Sequence, residues 1–266
     1  MRNCTRLTLV MMSWLPALAL AQNAEREMTC DDQWQSDRVS HCEINEMTIP
    51  AISRLSVDGG VNGGMTVKSW QKNEVLVRAR VQTAAENDAQ AKALARQVII
   101  HTGGGRILAD GPSQGHHENW SVSYEILVPQ NTDLDLRAHN GGIHIADVRG
   151  QIEFETINGG VSLTRLSGAV HGHTTNGGLH VELAGDRWEG TQLDARTTNG
   201  GVSLSVPSNY SAHLETGTVN GHINVEFPVS VHGEINRQLS IDLGSGGPLI
   251  RAVTTNGGVS IKRKET

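Results

Sequence analysis

The chain has 266 residues, of which 37% are hydrophobic and only 3% aromatic, and it contains 30 glycines. This composition favours thin layers of Val, Ile and Leu joined by tight turns over an enzyme core built around aromatic side chains. The formal net charge of -6 and the scattered Lys and Arg residues give no basic surface for nucleic acid, so we expect no nucleic-acid partner.

The first 21 residues have the features of a signal peptide. Arg2 and Arg6 precede the apolar run LTLVMMSWLPALALA, and residues 19–21 read Ala-Leu-Ala, the small-x-small pattern that signal peptidase cleaves. The run is short for a membrane span and is interrupted by Pro16. We therefore predict cleavage after Ala21, a mature chain with no transmembrane segment, and export to the periplasm, the cell surface or the medium.

Two cysteines remain in the mature chain, and both lie in an N-terminal segment of residues 22–48. Cys30 and Cys42 are close enough in sequence to close a loop, and in an oxidising compartment such a pair is more often a disulfide than a metal site. His41 is adjacent to Cys42, but without a second paired cluster it is a weak metal signal. We predict a Cys30–Cys42 disulfide and no metal.

Residues 49–131 differ in character from the rest of the mature chain. A strand pattern begins at Val75, an Ala-rich charged helix pattern at Ala84, and a second strand pattern runs from Trp120 to Pro129. A helix lying across the open end or side of a sheet would shield strand edges from other chains. We interpret this segment as a β region and cap, and a ligand-binding subdomain is the alternative.

One turn sequence recurs along the chain and dominates residues 132–266. The separations between its copies from Asn140 onward are 18, 18, 23, 21 and 36 residues, a spacing that is typical of stacked repeats. Asn-Gly-Gly, or Asn-Gly-His in one variant, begins at Asn62, Asn140, Asn158, Asn176, Asn199, Asn220 and Asn256.

The repeat predicts an all-β fold. Apolar residues alternate just after each pair of glycines and again just before the next Asn, so each repeat should hold two half-buried strands. Because equivalent positions recur in every copy, a parallel β-solenoid of about seven rungs, with one short helix in the N-terminal part, is favoured over an antiparallel meander. Asn and Gly enter positive φ at low cost, so the seven turns should form one corner, with Asn stacked over Asn at roughly 4.8 Å.

Two stretches interrupt the regular period. Residues 183–191 lengthen one repeat, and we expect them to bulge as a loop at one edge. The 36-residue gap contains NRQLSIDL from Asn236, which keeps the apolar spacing of a rung but has Arg and Gln in place of the glycines. We interpret it as a degenerate rung.

The run of Asn-Gly-Gly rungs from Asn140 to Ile261, the approach strand YEILVPQNTDLDLRAHNGG and the upstream VDGGVNGGMTVKSW together resemble a known family. They are similar to the bacterial "putative adhesin" family of β-strand repeat proteins, a domain of unknown function that looks like the head domains of autotransporter-like adhesins. The resemblance implies an exported envelope component, and it supplies no catalytic residue to this sequence.

The histidines are the first place to look for a metal or an active site. His171 and His173 would share one face of a strand, but that is an outward face where polar residues are ordinary. His144 and His180 occupy equivalent positions two rungs apart, roughly 9.6 Å, which is too far to share one ion. The pair at residues 116 and 117 has no visible third ligand. We therefore expect no metal and no cofactor.

The carboxylates give no catalytic pattern either. A glycan-cleaving solenoid needs acidic residues grouped on one face, and here the acidic positions do not fall at one place in the repeat. Glu153 and Glu155 share an outward face, where solvated charge explains them. No nucleophile and base are recognisable in the sequence, so we expect no catalytic residues and no enzyme.

The function predicted from the sequence is therefore non-catalytic. We expect an envelope-associated binding or structural protein that contacts a glycan or a protein surface through many weak hydrogen bonds, with unknown oligomeric state. Two alternatives stay open: a carbohydrate-active enzyme on a β-helix scaffold, or a structural or signalling-linked component without a small ligand. The candidate binding face consists of stacked outward residues, one per successive rung: Ser162, His180, Ser203 and Asn224.

Overall fold

The computed structural model describes residues 28–30, 38–113, 118–226 and 237–264. Over these residues the protein is all-β with one helix, α1 (Asp88–Ala95). The predicted signal peptide and residues 116, 117 and Asn236 lie outside the described residues. The strands, in chain order, are β1 (Val39–Pro50), β2 (Arg54–Asp58), β3 (Met65–Trp70), β4 (Glu74–Ala85), β5 (Ile99–His101), β6 (Arg106–Asp110), β7 (Asn119–Pro129), β8 (Asp133–Ala138), β9 (Ile143–Ala146), β10 (Arg149–Asn158), β11 (Val161–Thr164), β12 (Ser167–Asn176), β13 (Leu179–Glu182), β14 (Gly190–Asn199), β15 (Val202–Pro207), β16 (Ala212–Asn220), β17 (Ile223–Val225), β18 (Gln238–Leu243), β19 (Leu249–Asn256) and β20 (Val259–Lys264).

The strands form two sheets, and the chain passes back and forth between them. Sheet 1 has the order β1-β4-β7-β3-β9-β11-β13-β15-β20-β17, and sheet 2 has the order β18-β16-β19-β14-β12-β10-β8-β2-β6-β5. Through the repeats each strand pairs in parallel with its copy from another repeat, for example β10 with β12 and β11 with β13. The parallel pairing expected of a solenoid is therefore present, and the antiparallel meander is excluded for these strands.

The inward rows of the two sheets make one continuous apolar core. Ile143, Val161, Leu179, Val202 and Val259 are in register across sheet 1, and each is at most 2% exposed. Corresponding rows of Val, Ile and Leu cross sheet 2. Burial of these rows, which alternate with polar outward residues, is the main force that closes each repeat onto the next.

The asparagines of the seven turns form a single ladder at one corner of the stack. Six of the seven side-chain amides donate to the Oδ1 of the neighbouring asparagine at 2.7 to 3.0 Å, and all six bonds run in the same direction. Beside the ladder, buried threonines donate to the carbonyl of the first glycine of a neighbouring turn, as Thr174 does to Gly159 at 2.7 Å. These bonds satisfy carbonyl groups that the bend leaves unpaired.

The first glycine of each turn is needed for close approach rather than for positive φ. Among these turns only Gly257 has positive φ, so the conformational reason inferred from the sequence is wrong for the others. A Cβ added to Gly177 would lie 2.1 Å from the carbonyl oxygen of Gly159, and the equivalent glycines from Gly141 onward have the same contact with a neighbouring turn at 2.0 to 2.2 Å. The stacked corners are too close for any side chain at this position.

The spatial order of the last repeats differs from their order in the chain. Strand β19 lies between β14 and β16, and β20 lies between β15 and β17. The last repeat is thus inserted between two earlier ones, so the expectation of strictly successive rungs is wrong. The turn at residues 254–260, Thr-Thr-Asn-Gly-Gly-Val-Ser, is identical to the turn at residues 197–203. Because the two copies are identical, they stack as closely as two repeats that follow each other in the chain.

The interpretation of residues 236–243 as a degenerate rung is also wrong. Strand β18 pairs antiparallel with β16 at the end of sheet 2 and has no parallel partner among the described strands. Arg237 and Gln238 stand where a rung has its two glycines, so this segment lacks the residues that allow a close corner.

The insertion at residues 183–191 contributes to the core as well as forming a loop. Trp188 is 3% exposed and its Nε1 donates to the carbonyl of Gly168 at 3.0 Å, while Leu183 is 2% exposed. The expectation of a simple surface bulge therefore holds for only part of this segment.

The N-terminal part joins the same two sheets and closes one end of the stack. Strands β2 and β3 pair in parallel with β8 and β9, whereas β1, β4 and β7 pair antiparallel beyond them in sheet 1. Helix α1 packs on β4 and β1 through Ala91, Leu94 and Ala95. Cys30 and Cys42 form a disulfide that ties the segment before β1 to that strand.

Candidate functional site

The outward face of sheet 1 carries a row of polar side chains, one from each of six neighbouring strands. Backbone pairing places these residues directly beside one another across β9, β11, β13, β15, β20 and β17. At about 4.8 Å per strand the row is roughly 24 Å long. We call it the polar row: His144, Ser162, His180, Ser203, Ser260 and Asn224.

The four residues of the predicted binding face all belong to the polar row. Ser162, His180 and Ser203 lie on consecutive strands, but Ser260 separates Ser203 from Asn224 because β20 is inserted there. The prediction that these four residues lie on successive rungs is therefore wrong between Ser203 and Asn224. Ser260 was recognisable in the sequence as an equivalent of Ser203, but its place between two other members was not.

An open depression of about 900 Å³ lies over the polar row, and all six of its residues line it. The depression also has a floor made by the second glycines of the turns, Gly160, Gly178, Gly201 and Gly258. His222, from the variant turn, contributes its imidazole at the position that these glycines occupy. We call the four second glycines, without His222, the glycine floor.

The fold does not require the glycine floor to be glycine. A Cβ on Gly160, Gly178, Gly201 or Gly258 would have its nearest neighbour at 3.4 to 3.6 Å, which is ordinary contact, and none of them has positive φ. Within the described residues their backbone N–H groups have no intramolecular acceptor. The missing side chains therefore keep the depression open.

Histidines stand at the two ends of the depression. The Nε2 of His144 lies 3.5 Å from where a Cβ on Gly142 would be, so its ring lies over the glycine of its own repeat. The residue keeps an exposed edge, but partial burial of the ring, together with the positive charge of Lys68, lowers the pKa of His144. Neutral His144 can both donate and accept a hydrogen bond.

The polar row has the chemistry of a neutral hydrogen-bonding surface. It contains no Asp, Glu, Lys or Arg, and its serine hydroxyls, imidazoles and amide offer both donors and acceptors. Charged side chains begin one row further along the strands, where Glu182 and Lys262 are found. An uncharged ligand with many hydroxyl or carbonyl groups suits this surface best.

The other histidines and acids considered in the sequence lie elsewhere. His171 and His173 are outward on β12 of sheet 2, where they lie 3.9 Å from Asp194 and 3.7 Å from Glu155. Glu153 is exposed and lies 3.7 Å from Arg54. In the ranges that the structure describes, no three His, Cys, Asp or Glu side chains are grouped so that they could hold a metal ion.

The outer face of sheet 2 is dominated by ion pairs instead. Asp194 is nearly buried and accepts two hydrogen bonds from Arg196, at 2.9 and 2.7 Å, with Arg251 at 3.7 Å. Burial alone would raise the pKa of Asp194, but the Arg196 hydrogen bonds and the charges of Arg196, Arg251 and His171 outweigh it, so the pKa lies below its ordinary value. Nothing comparable occurs along the polar row.

The two mostly parallel sheets, the repeated Asn-Gly-Gly corner and the flat outward face define a β-strand repeat protein. The chain belongs to the Toastrack DUF4097 family, whose model matches residues 121–262, more than half of its length. This confirms the resemblance drawn from the repeated turns. The described part of the chain contains no helix with the length and apolarity needed to cross a membrane.

Several solved structures are similar to the chain at low sequence identity. A "putative cell adhesion protein" from Clostridium sporogenes is 10% identical with a TM-score of 0.44, covering 84% of this chain and 100% of its own. A "putative adhesin" from Bacteroides fragilis is 11% identical with a TM-score of 0.35, covering 84% and 97%. A "putative lipid binding protein" from Parabacteroides distasonis is 9% identical with a TM-score of 0.30, covering 83% and 96%. No protein of curated function matches.

Proposed function

We propose that this protein is an exported component of the cell envelope that binds an extended glycan along the polar row, without catalysis at that surface. The observation that carries the proposal is the register of six neutral polar side chains on six neighbouring strands beneath one open depression. A polymer laid along this row meets a hydrogen-bonding group at each strand, so many weak bonds add up.

The glycine floor supports the same proposal. Because the fold tolerates a side chain at these positions, the stacking of the repeats does not explain why they are glycine. A ligand that lies on the flat surface would explain it. A sugar ring is broad and has apolar faces edged by hydroxyl groups, and it can lie on such a floor while its hydroxyls reach the serines and histidines. The disulfide between Cys30 and Cys42 supports export to an oxidising compartment.

The two alternative functions predict different chemistry at this surface. A glycan-cleaving site needs a pair of carboxylates flanking the scissile bond, and the polar row contains none. A purely structural role needs no ligand, and then nothing explains why the glycine floor lacks side chains. Binding without cleavage is therefore the function that the geometry supports best.

The test measures binding and cleavage in the same samples. Mature protein from Gln22 onward is incubated with polysaccharide fractions isolated from bacterial envelopes, and retained protein and new reducing or unsaturated chain ends are both assayed. We expect retention with no new chain ends. The variant Ser162→Ala/His180→Ala/Ser203→Ala/Asn224→Ala should bind at least about tenfold more weakly, since each lost hydrogen bond is worth about 0.5–1.5 kcal/mol.

The matched control is Gln151→Ala/Gln192→Ala, which removes two exposed polar side chains from the outer face of sheet 2. This variant should bind as the wild type does. Unchanged binding by the fourfold variant would refute the assignment of the surface, absence of retention on every fraction would favour a structural role, and new chain ends would favour an enzyme.

A further inference from the structure

A serine, a histidine and an aspartate are adjacent at the far end of sheet 2, on the face opposite the core. Strands β16 and β18 pair antiparallel there, so that His213 lies beside Asp242 and Glu215 lies beside Ser240. Leu239 and Ile241, which alternate with Ser240 and Asp242, are buried. All three polar side chains therefore point outward from the same two-stranded ribbon.

Their hydrogen bonds have the order of a nucleophile, a base and an orienting acid. The Nδ1 of His213 is 2.7 Å from the Oδ1 of Asp242, and its Nε2 is 3.3 Å from the Oγ of Ser240. A carboxylate at Nδ1 holds the proton on that nitrogen, which leaves the lone pair of Nε2 free to accept the serine proton. A serine to histidine distance slightly longer than an ideal bond is common before substrate binds.

We propose that Ser240, His213 and Asp242 form a nucleophilic centre that hydrolyses carboxylic esters with short acyl groups. This activity is independent of the glycan-binding surface, because it uses the other sheet and shares no residue with the polar row. Each of the two assignments can fail while the other stands.

The surroundings of Ser240 give a substrate access and supply hydrogen-bond donors in the same depression. Ser240 is exposed and lines an open depression of about 810 Å³, which is also lined by Gln238, Arg196 and Arg251. A carbonyl oxygen that gains negative charge during attack is stabilised by such donors. The depression is open rather than an enclosed tunnel, which suits a short acyl group on a larger alcohol better than a long acyl chain.

Glu215 is the group that competes most directly for His213. Its Oε1 lies 3.6 Å from the Nε2 of His213, but its Oε2 accepts from the Nε of Arg251 at 2.8 Å and from a second nitrogen of the same guanidinium. Arg251 thereby balances the charge of Glu215 and engages one of its two carboxylate oxygens. Once His213 takes a proton, Glu215 and Asp242 flank the imidazolium and stabilise it.

The reaction proceeds in two balanced steps. The Oγ of Ser240 attacks the ester carbonyl carbon while its proton moves to the Nε2 of His213, and the collapse of the tetrahedral intermediate expels the alcohol, which takes that proton. Water then attacks the acyl group on Ser240, giving its proton to His213, and the acid leaves as the proton returns to the serine oxygen. Asp242 keeps its charge throughout and acts as a positioning residue.

Two measurements test the proposal on the mature protein. The first is hydrolysis of 4-nitrophenyl acetate under multiple-turnover conditions, and the second is labelling by a fluorophosphonate followed by mass spectrometry of the peptides. We expect an adduct on Ser240, and we expect Ser240→Ala and His213→Gln each to lower kcat/KM by about 100-fold or more, since a general base contributes about 10²–10⁴-fold. The adduct should be absent from His213→Gln.

The matched control is Ser40→Ala, because Ser40 is also an exposed serine on a strand at the edge of a sheet. It should keep full turnover and full labelling of Ser240. Thermal unfolding of each variant shows whether it is folded, and His213→Asn gives a second base-deficient protein if His213→Gln is not. An unlabelled Ser240, labelling that persists without His213, or turnover unchanged in Ser240→Ala would overturn the proposal.

Discussion

The outer faces of the two sheets differ in chemistry although the strands behind them stack in the same way. Around the polar row, sheet 1 presents neutral serine, histidine and asparagine side chains beside a floor of glycine, whereas sheet 2 presents Asp, Glu, Arg and His side chains joined in ion pairs. The inward apolar rows and the Asn-Gly-Gly corner are common to both. The corner and the core therefore hold the stack together, and the outer faces are free to acquire separate functions.

The largest effect on stability should come from the corner, since it supports both faces. Gly177→Ala would place a Cβ 2.1 Å from the carbonyl oxygen of Gly159 and force two stacked corners apart. We expect the free energy of unfolding to fall by about 3 kcal/mol, as for overpacking of a rigid interior. Urea unfolding followed by circular dichroism measures this change. A loss below 0.5 kcal/mol, on the order of a neutral surface substitution, would show that the corners are not tightly packed.

A smaller, pH-dependent effect should come from the charged face of sheet 2. The pKa of Asp194 is lowered in the folded protein, so its ionised form adds stability above its unfolded pKa of about 3.9, and this stability is lost as the pH falls through the folded pKa. Asp194→Asn should cost about 1.5 kcal/mol at pH 7, the lower end of the range for hydrogen bonds to charged groups, because the Arg196 side chain is half exposed. The difference from wild type should shrink as the pH falls from 4 to 2.

Asp186→Asn is the control for that measurement, because Asp186 is 72% exposed in the insertion loop. Urea unfolding of the three proteins between pH 2 and pH 7 gives the comparison. An Asp194→Asn effect that stays constant across this range would mean that the aspartate stabilises through packing rather than through its charge.

The repeated turn was sufficient to predict that the strands stack in parallel. It was also sufficient to predict that the four residues of the candidate binding face lie on one outward face. Equivalent positions such as Ser162 and Ser203 align because the side chains of a parallel stack repeat at the same offset. Near-identical copies, however, do not specify which copy lies next to which. The insertion of β19 and β20 between earlier strands was for this reason not visible in the sequence.

The Ser240, His213 and Asp242 cluster could not be found from the sequence at all. His213 is 27 residues from Ser240 and 29 from Asp242, and the three meet only because β18 turns back antiparallel on β16. No repeat fixes the register of that pair, and the pattern of residues 236–243 suggested a parallel rung instead. Trp188 was missed for a related reason, since an insertion has no aligned copy from which its burial can be judged.

The smallest effect on stability should come from Gly178→Ala. This substitution also separates the role of the corner in stability from the role of the glycine floor in binding. Gly178 is adjacent to Gly177, yet a Cβ there would have its nearest neighbour, the carbonyl oxygen of Gly201, at 3.6 Å. An unstrained Gly→Ala change reduces the entropy of the unfolded chain, so we expect stability to be unchanged or to rise by about 0.5 kcal/mol. The added methyl group would stand on the glycine floor, and retention on envelope polysaccharide should weaken. Full stability with full retention would show that the ligand does not touch the floor, whereas a loss of stability as large as that of Gly177→Ala would show that corner and face are not separate.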